Sequence, residues 1–220
     1  MNQETLQQLF IEQIRDLYDA EKQIVKALPK MAKAVHSEEL AEALRGHLEE
    51  TLNQVRRLEE IFKLRGVPAK GKTCKAMKGL LEEGSEILEE EDGELLDLAV
   101  IAAAQRVEHY EISAYGTAKC IARQLGDEKA VKLLNETEEE EAGADQKMTE
   151  IAMSLYAAGD SDASDEEQEP QRRGAQAVAG QRTAAKKGMA GGQPVIRKTY
   201  TGADLRAAPA RYSSSAIVGS

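Results

Sequence analysis

Four acidic residues stand where apolar residues belong. Glu21, Glu50, Glu108 and Glu141 each fall on, or at the edge of, the apolar stripe of a different long helix, each near its middle. A carboxylate turned into a bundle core is costly unless it is paired or bound to a metal. One inward carboxylate from each of four helices is the arrangement that builds a carboxylate-bridged two-metal site inside a four-helix bundle. The same residues therefore constrain the fold and the chemistry.

The helices are read from spacings of three and four. The first runs from Gln3 to Val35 on Leu6, Phe10, Ile14, Leu17, Ile24, Leu28 and Met31, with Leu9 beside Phe10. Pro29 lies inside it and should kink or divide it, because proline lacks the N–H that the preceding turn needs. Ser37, followed by Glu38 and Glu39, reads as the cap of a second helix that runs to about Leu64 and stops at Gly66 and Pro68. A shorter amphipathic helix follows, from Cys74 to about Leu88. The third long helix spans Glu94 to Leu125, on a stripe of Leu95, Leu98, Ile101, Gln105, Ile112, Tyr115, Ala118 and Ala122. Gly126 and Asp127 then end it and cap a fourth, which runs to about Ala158. The link between the third and fourth helices is so short that they must form an antiparallel hairpin. The second and third are joined by a long crossover holding the short helix. Such a crossover belongs to an all-α, ferritin-like four-helix bundle and not to a simple up-down-up-down bundle.

Composition agrees. The chain is rich in Ala, Leu, Glu, Lys and Gln and has no Trp, which favours helix. Residues 1–158 carry 32 acidic against 20 basic residues, so nucleic acid is an unfavourable partner on charge. After Gly159 the pattern changes: an acidic run, Asp160–Glu169, precedes a basic stretch rich in Gly, Ala and Ser with no sustained apolar period. This divides the chain into a bundle, 1–158, and a low-complexity tail, 159–220, expected to be disordered. Cys74 and Cys120 form no metal-binding or disulfide pattern and suit reduced thiols in the cytoplasm. The N-terminal MNQETLQQLF has neither the basic nor the apolar region of a signal peptide, and no apolar run approaches the roughly 18 residues that span a bilayer. The expectation is a cytoplasmic protein without membrane partners.

At about 100° per residue, His47, Glu50 and Gln54 share a narrow wedge of the second helix, and Glu138, Glu141 and Asp145 share one on the fourth. Gln105, Glu108 and either Glu111 or Ile112 share a face of the third, and Leu17, Glu21, Ile24 and Leu28 a face of the first. The candidate metal ligands are therefore Glu21, His47, Glu50, Gln54, Glu108, Glu111, Glu141 and Asp145. His47 reads either as a ligand or as a hydrogen-bonded core histidine. Glu138 reads as solvated, His109 as a surface or supporting residue, and His36 as structural. Tyr18 and Tyr115 lie near the site, either as core residues or as donors to a ligand carboxylate. Carboxylate and imidazole donors suit iron or manganese, two per chain. No phosphate loop, GxSxG or Cys–His pairing is present, and no residue is assigned a catalytic role.

The segments DLYDAEKQIVKALPKMA (16–32), HLEETLNQVRRLEEIF (47–62), CKAMKGLLEEG (74–84), IAAAQRVEHYEISAYGT (101–117) and KLLNETEEEEAGADQK (132–147) resemble the YciE/YciF-type ferritin-like family of bacterial stress proteins. The similarity covers about residues 3–157. It implies a ferritin-like helical bundle, a homodimer and a two-metal site like that of rubrerythrin. The chain departs from the Glu-x-x-His pattern usual on two helices of such sites: Asn53 and Ala144 stand three residues after Glu50 and Glu141. Gln54 and Asp145, one residue later, are the replacements to consider. Two functions follow as expectations. One is a metal-dependent stress protein acting on a small oxidant, peroxide or dioxygen. The other is a non-catalytic stress or assembly protein that uses the bundle surface for partners. Iron storage needs a shell of many subunits, and nothing in the sequence indicates one.

Overall fold

The computed structural model describes residues 2–90 and 92–166, side chains at 90, 94 and 158–166 excepted. Its elements are α1 (Gln3–Ala34), α2 (Glu38–Leu64), α3 (Lys75–Glu90), α4 (Glu94–Gln124) and α5 (Glu128–Glu166). All are helices, as the spacing predicts. The caps are chemical. The Asn2 side chain accepts from Glu4 N–H at 3.1 Å, Ser37 Oγ from Leu40 N–H at 3.3 Å, and Asp127 Oδ1 from Ala130 N–H at 3.1 Å. Gly126 ends α4 with φ of 70°, a left-handed turn that glycine adopts without a Cβ clash.

α1 continues through Pro29, so of the two expected outcomes, a kink or a division, division does not occur. Pro29 is exposed, so water can serve the carbonyl that loses its helical partner. Leu28, Met31 and Ala32, all buried, hold both sides of the proline to the core. α5 runs to Glu166, past the expected end at Ala158. The expected tail from 159 thus meets a helix over its first residues, and 167–220 lie outside the described residues.

Helix directions follow from contacts at the two ends. Asp97, near the start of α4, accepts from the backbone N–H groups of His36 and Ser37 at 2.8 and 2.7 Å, in the α1–α2 turn. Arg65, just past α2, lies 2.7 Å from Asp127 in the α4–α5 turn. α2 and α4 therefore run parallel, and each hairpin is antiparallel within itself. α1 packs on α2 and α4, and α5 on α4 and α2, while α3 lies over α1 and α4. This is the ferritin-like bundle with its crossover helix.

The core is apolar at both ends and polar in the middle. One apolar half gathers Ile24, Leu28, Leu40, Leu44, Met77, Val100, Val107 and Met148. The other gathers Phe10, Ile14, Leu17, Leu58, Phe62, Tyr115 and Leu134. Between them lies a belt of buried polar residues: Glu21, His47, Thr51, Gln54, Glu108, Glu111, Thr137 and Glu141. Each fully buried large side chain in the apolar halves contributes roughly 1.5–3 kcal/mol, so the halves carry the stability and the belt costs some of it. On α4 the buried face is Leu96, Val100, Ile101, Ala104, Val107, Glu108, Glu111 and Tyr115, while Leu95, expected inside, is 65% exposed. α4 touches three helices, and a face that wide hides its phase from a narrow stripe.

Candidate metal centre

The belt has one focus. Ligand atoms of His47, Glu108, Glu111 and Glu141 all lie within 4.8 Å of one another, and all four residues are buried. They come from α2, α4 and α5, so the crossover topology is what brings them together. His47 Nε2 stands 3.4 Å from Glu108 Oε1 and 3.7 Å from Glu141 Oε2. From α1, fully buried Glu21 adjoins the group. Its Oε1 accepts from the Tyr115 hydroxyl. Tyr115 is thus the tyrosine that serves a site carboxyl. Tyr18 turns away and donates to Glu59 at 2.8 Å.

The remaining expected ligands are placed differently. Glu50 is 49% exposed and stands at the rim, its Oε2 3.4 Å from His47 Nδ1. Gln54 is buried, but its amide donates to Glu140 at 3.2 Å and only its Oε1 is left over. Asp145 does not join the cluster. It accepts from Gln105 Nε2 at 2.9 Å and lies 3.3 Å from His109 Nε2. One residue beyond Ala144, it sits on the side of α5 that looks along α4. His36 is half exposed and 3.7 Å from Asp92, and Glu138 pairs with Lys119. Cys74 is buried and Cys120 exposed, and neither joins the group.

Some structure around the site escaped the sequence. The Arg57 guanidinium grips Glu140 with two bonds of 2.6 Å, pinning α2 to α5 beside Gln54. Such a pair has no local signature, because its partners are 83 residues apart. Thr51 and Thr137 are buried polar neighbours that return their hydroxyls to their own helices, at His47 O and Leu133 O.

The electrostatics are those of acids crowded out of water. Burial, and then the charge of Glu141, push the Glu21 carboxyl up to about 8. Burial pushes Glu108 to about 7, with the charges of Glu21, Asp145 and Glu50 adding to it. Glu111 and Glu141 are also raised well above the usual carboxyl range, by burial first and neighbouring carboxylates second. His47 is pulled down by burial but raised overall by the carboxylates of Glu50, Glu141 and Glu21. Glu50 is lowered, chiefly by its hydrogen bond with His47. Without a cation, then, the cluster must hold protons.

Its valences are not met by protein. Glu21 Oε2, His47 Nε2, Glu108 Oε2 and both oxygens of Glu111 and Glu141 are buried with no hydrogen-bond partner among the described residues. A buried polar atom left unpaired costs about 1–3 kcal/mol, and more if charged. Those of His47, Glu108, Glu111 and Glu141 lie together, and a set of such atoms is what a metal-binding pocket requires. The donor set, carboxylate oxygens with one imidazole, suits a hard or borderline cation.

Comparison with known proteins bears on the fold and the family. Residues 5–159 match the family model described as Domain of unknown function (DUF892). Protein YciF of Escherichia coli (strain K12) is 46% identical over 155 residues, 70% of this chain and 93% of YciF. The crystal structure of YciF, described there as an E. coli stress protein, superposes with a TM-score of 0.67, covering 69% of this chain and 97% of that one at 45% identity. YcfI from Rhodopseudomonas palustris gives a TM-score of 0.64 at 41% identity, over 66% of this chain and 92% of that one. A protein of Xanthomonas campestris, at 16% identity and a TM-score of 0.56, shares the fold alone. Family match, sequence identity and superposition agree over the whole bundle, and the chain belongs to the DUF892 family, that of YciF.

Proposed function

We propose that this protein is a stress-response, ferritin-like metal protein that holds two iron or manganese ions in the belt. The observation that supports this most is the convergence of buried donor atoms from His47, Glu108, Glu111 and Glu141, with the unpartnered Oε2 of buried Glu21 beside them. In this reading Glu108, Glu111 and Glu141 hold the pair from α4 and α5. Glu21 closes it from α1, oriented by Tyr115, and His47 supplies the imidazole. Glu50 approaches from the rim. An iron or manganese pair held there would supply electron transfer to peroxide or dioxygen. The chain's own part is to fix the donors in a dry, apolar setting and to let its carboxylates trade protons for cations. The similarity to a protein described as a stress protein gives the context. We also take the chain to act as a homodimer in the cytoplasm, with residues 159–220 dispensable for the fold of the bundle.

The presence of a single imidazole favours a second reading, a non-catalytic stress or assembly protein. Metal analysis of protein purified without chelator separates the two. About two irons or manganeses per chain support the first reading. A metal-free protein whose melting is indifferent to added metal supports the second.

A further inference from the structure

The buried cluster is open to water on its α2–α5 side. Between α2 and α5 a groove of about 300 Å³ is lined by Ala43, Gly46, His47, Glu50, Gly143 and Ala144, among others. Its walls are open because its residues are small. A Cβ built on Gly46 or on Gly143 would meet nothing within 4 Å. At its floor lies His47, 96% buried, with Nε2 unpartnered. The ring spans the wall of the site: Nδ1 faces Glu50 at the rim, and Nε2 faces Glu108 and Glu141 inside.

Among the described residues, the two ends and the α3 face are closed. Apolar side chains fill the bundle above and below the belt. α3 covers α1 and α4, and the gap left beside Glu108 on that face is about 20 Å³, among Ile24, Leu28, Leu81 and Val107. A water needs about 10–15 Å³ of such space. That gap therefore holds a water at most, while the groove has room for an ion with its water shell.

Charge at the mouth selects the visitor. Lys147 lines the groove but its ammonium is bound to Glu39 at 2.8 Å. Glu140 lines it too and is neutralised by Arg57. Glu50 is left, its carboxylate half exposed at the mouth with no lysine or arginine bound to it among the described residues. Its hydrogen-bond partner is the His47 ring.

We infer that the α2–α5 groove is the route by which a hydrated divalent cation reaches the buried carboxylates, with Glu50 as its first ligand and His47 as the ring it passes. This rests on the reading of the belt as a metal site. The small side chains of Gly46 and Gly143 set the bore, and they are not ligands.

The test is stopped-flow uptake of Co²⁺ by chelator-treated protein, followed by absorbance. Gly143→Leu and Gly46→Leu fill the groove from opposite walls, and Gly143→Ala adds only a methyl group. Melting curves in chelator check folding. Both exposed helical glycines should tolerate the change, since glycine is the weaker helix former by about 1 kcal/mol. Each leucine variant should take up and release Co²⁺ about tenfold more slowly, or slower still, at unchanged final stoichiometry, and the alanine variant should match wild type. Wild-type rates in both leucine variants would overturn the route and leave the site standing. A lowered final stoichiometry in them would also overturn it, by making the groove part of the site. No Co²⁺ uptake by wild type would remove the site and the route together.

Discussion

Tyr115 and Glu21 show how single residues govern the belt. The Tyr115 hydroxyl is the donor to Glu21 Oε1, and Glu21 Oε2 has no partner among the described residues. Tyr115→Phe keeps the ring in the apolar half and removes that donor. It should destabilise the metal-free protein by about 1–3 kcal/mol, the cost of orphaning a buried acceptor, measured by urea unfolding. The acids also set a pH dependence. A carboxyl raised above its unfolded value of 4.5 keeps its proton in the native state where the unfolded chain has released it. The native state then binds more protons, and stability falls as pH rises. With Glu21 at about 8 and Glu108 at about 7, metal-free protein should lose stability steadily between pH 4.5 and 8. Raised His47 acts in the same sense, its contribution present below its unfolded value and lost on going up. Lowered Glu50 acts oppositely, but below 4.5. The melting temperature in chelator should be higher at about pH 5.5 than at about pH 8, at roughly 2–4 °C per kcal/mol for a chain of this size. A flat or rising profile would contradict the crowded-acid account. Glu21, Glu108 and Glu141 were legible as inward residues because the helical period fixes their direction. Asp145 was not, because two residues four apart differ by about 40° in direction, and the neighbouring Gln105 and His109 decide which way such a side chain turns.

At the scale of elements, the bundle is tied at its ends as well as packed along its length. Asp97 caps the α1–α2 turn from another hairpin, and Arg65 reaches Asp127 in the same manner at the opposite end. Asp97→Ala would strand two backbone N–H groups in a part-buried turn. It should cost about 1–3 kcal/mol in chemical denaturation, with metal content unchanged, since Asp97 lies beyond the apolar half that separates it from the belt. A variant as stable as wild type would show that water replaces the carboxylate. Helix positions were legible except at the far end of α5, because caps, glycines and stripes of three and four are local. The phase of α4 was not, because helices on three sides bury it and a broad apolar face carries no sharp stripe. Nor were the ties, whose partners lie 60 and 61 residues apart in the case of Asp97.

For the whole molecule, the long crossover made the topology legible. Its length lets α2 and α4 run parallel, and that alone brings α2, α4 and α5 to one centre. The family match ends at residue 159, and we propose that the composition beyond it cannot bury enough apolar area to repay ordering. Truncation after Gly159 should leave the melting temperature within about 2 °C of wild type, less than about 1 kcal/mol at this size. A larger fall would show that the tail, or the last turns of α5, pack on the bundle.

The central claim is that the belt is a metal site whose acids oppose one another until a cation joins them. Melting curves of wild type and Glu108→Ala, each with Mn²⁺ and each with chelator, test it most directly. Metal should raise the wild-type melting temperature, by mass action on the native state, and leave the variant unmoved. In chelator the variant should melt at or above wild type, because removing a buried acid relieves repulsion while the apolar halves still hold the helices together. No rise in wild type, or an equal rise in both, would contradict the account and leave the bundle without a metal to explain its acids.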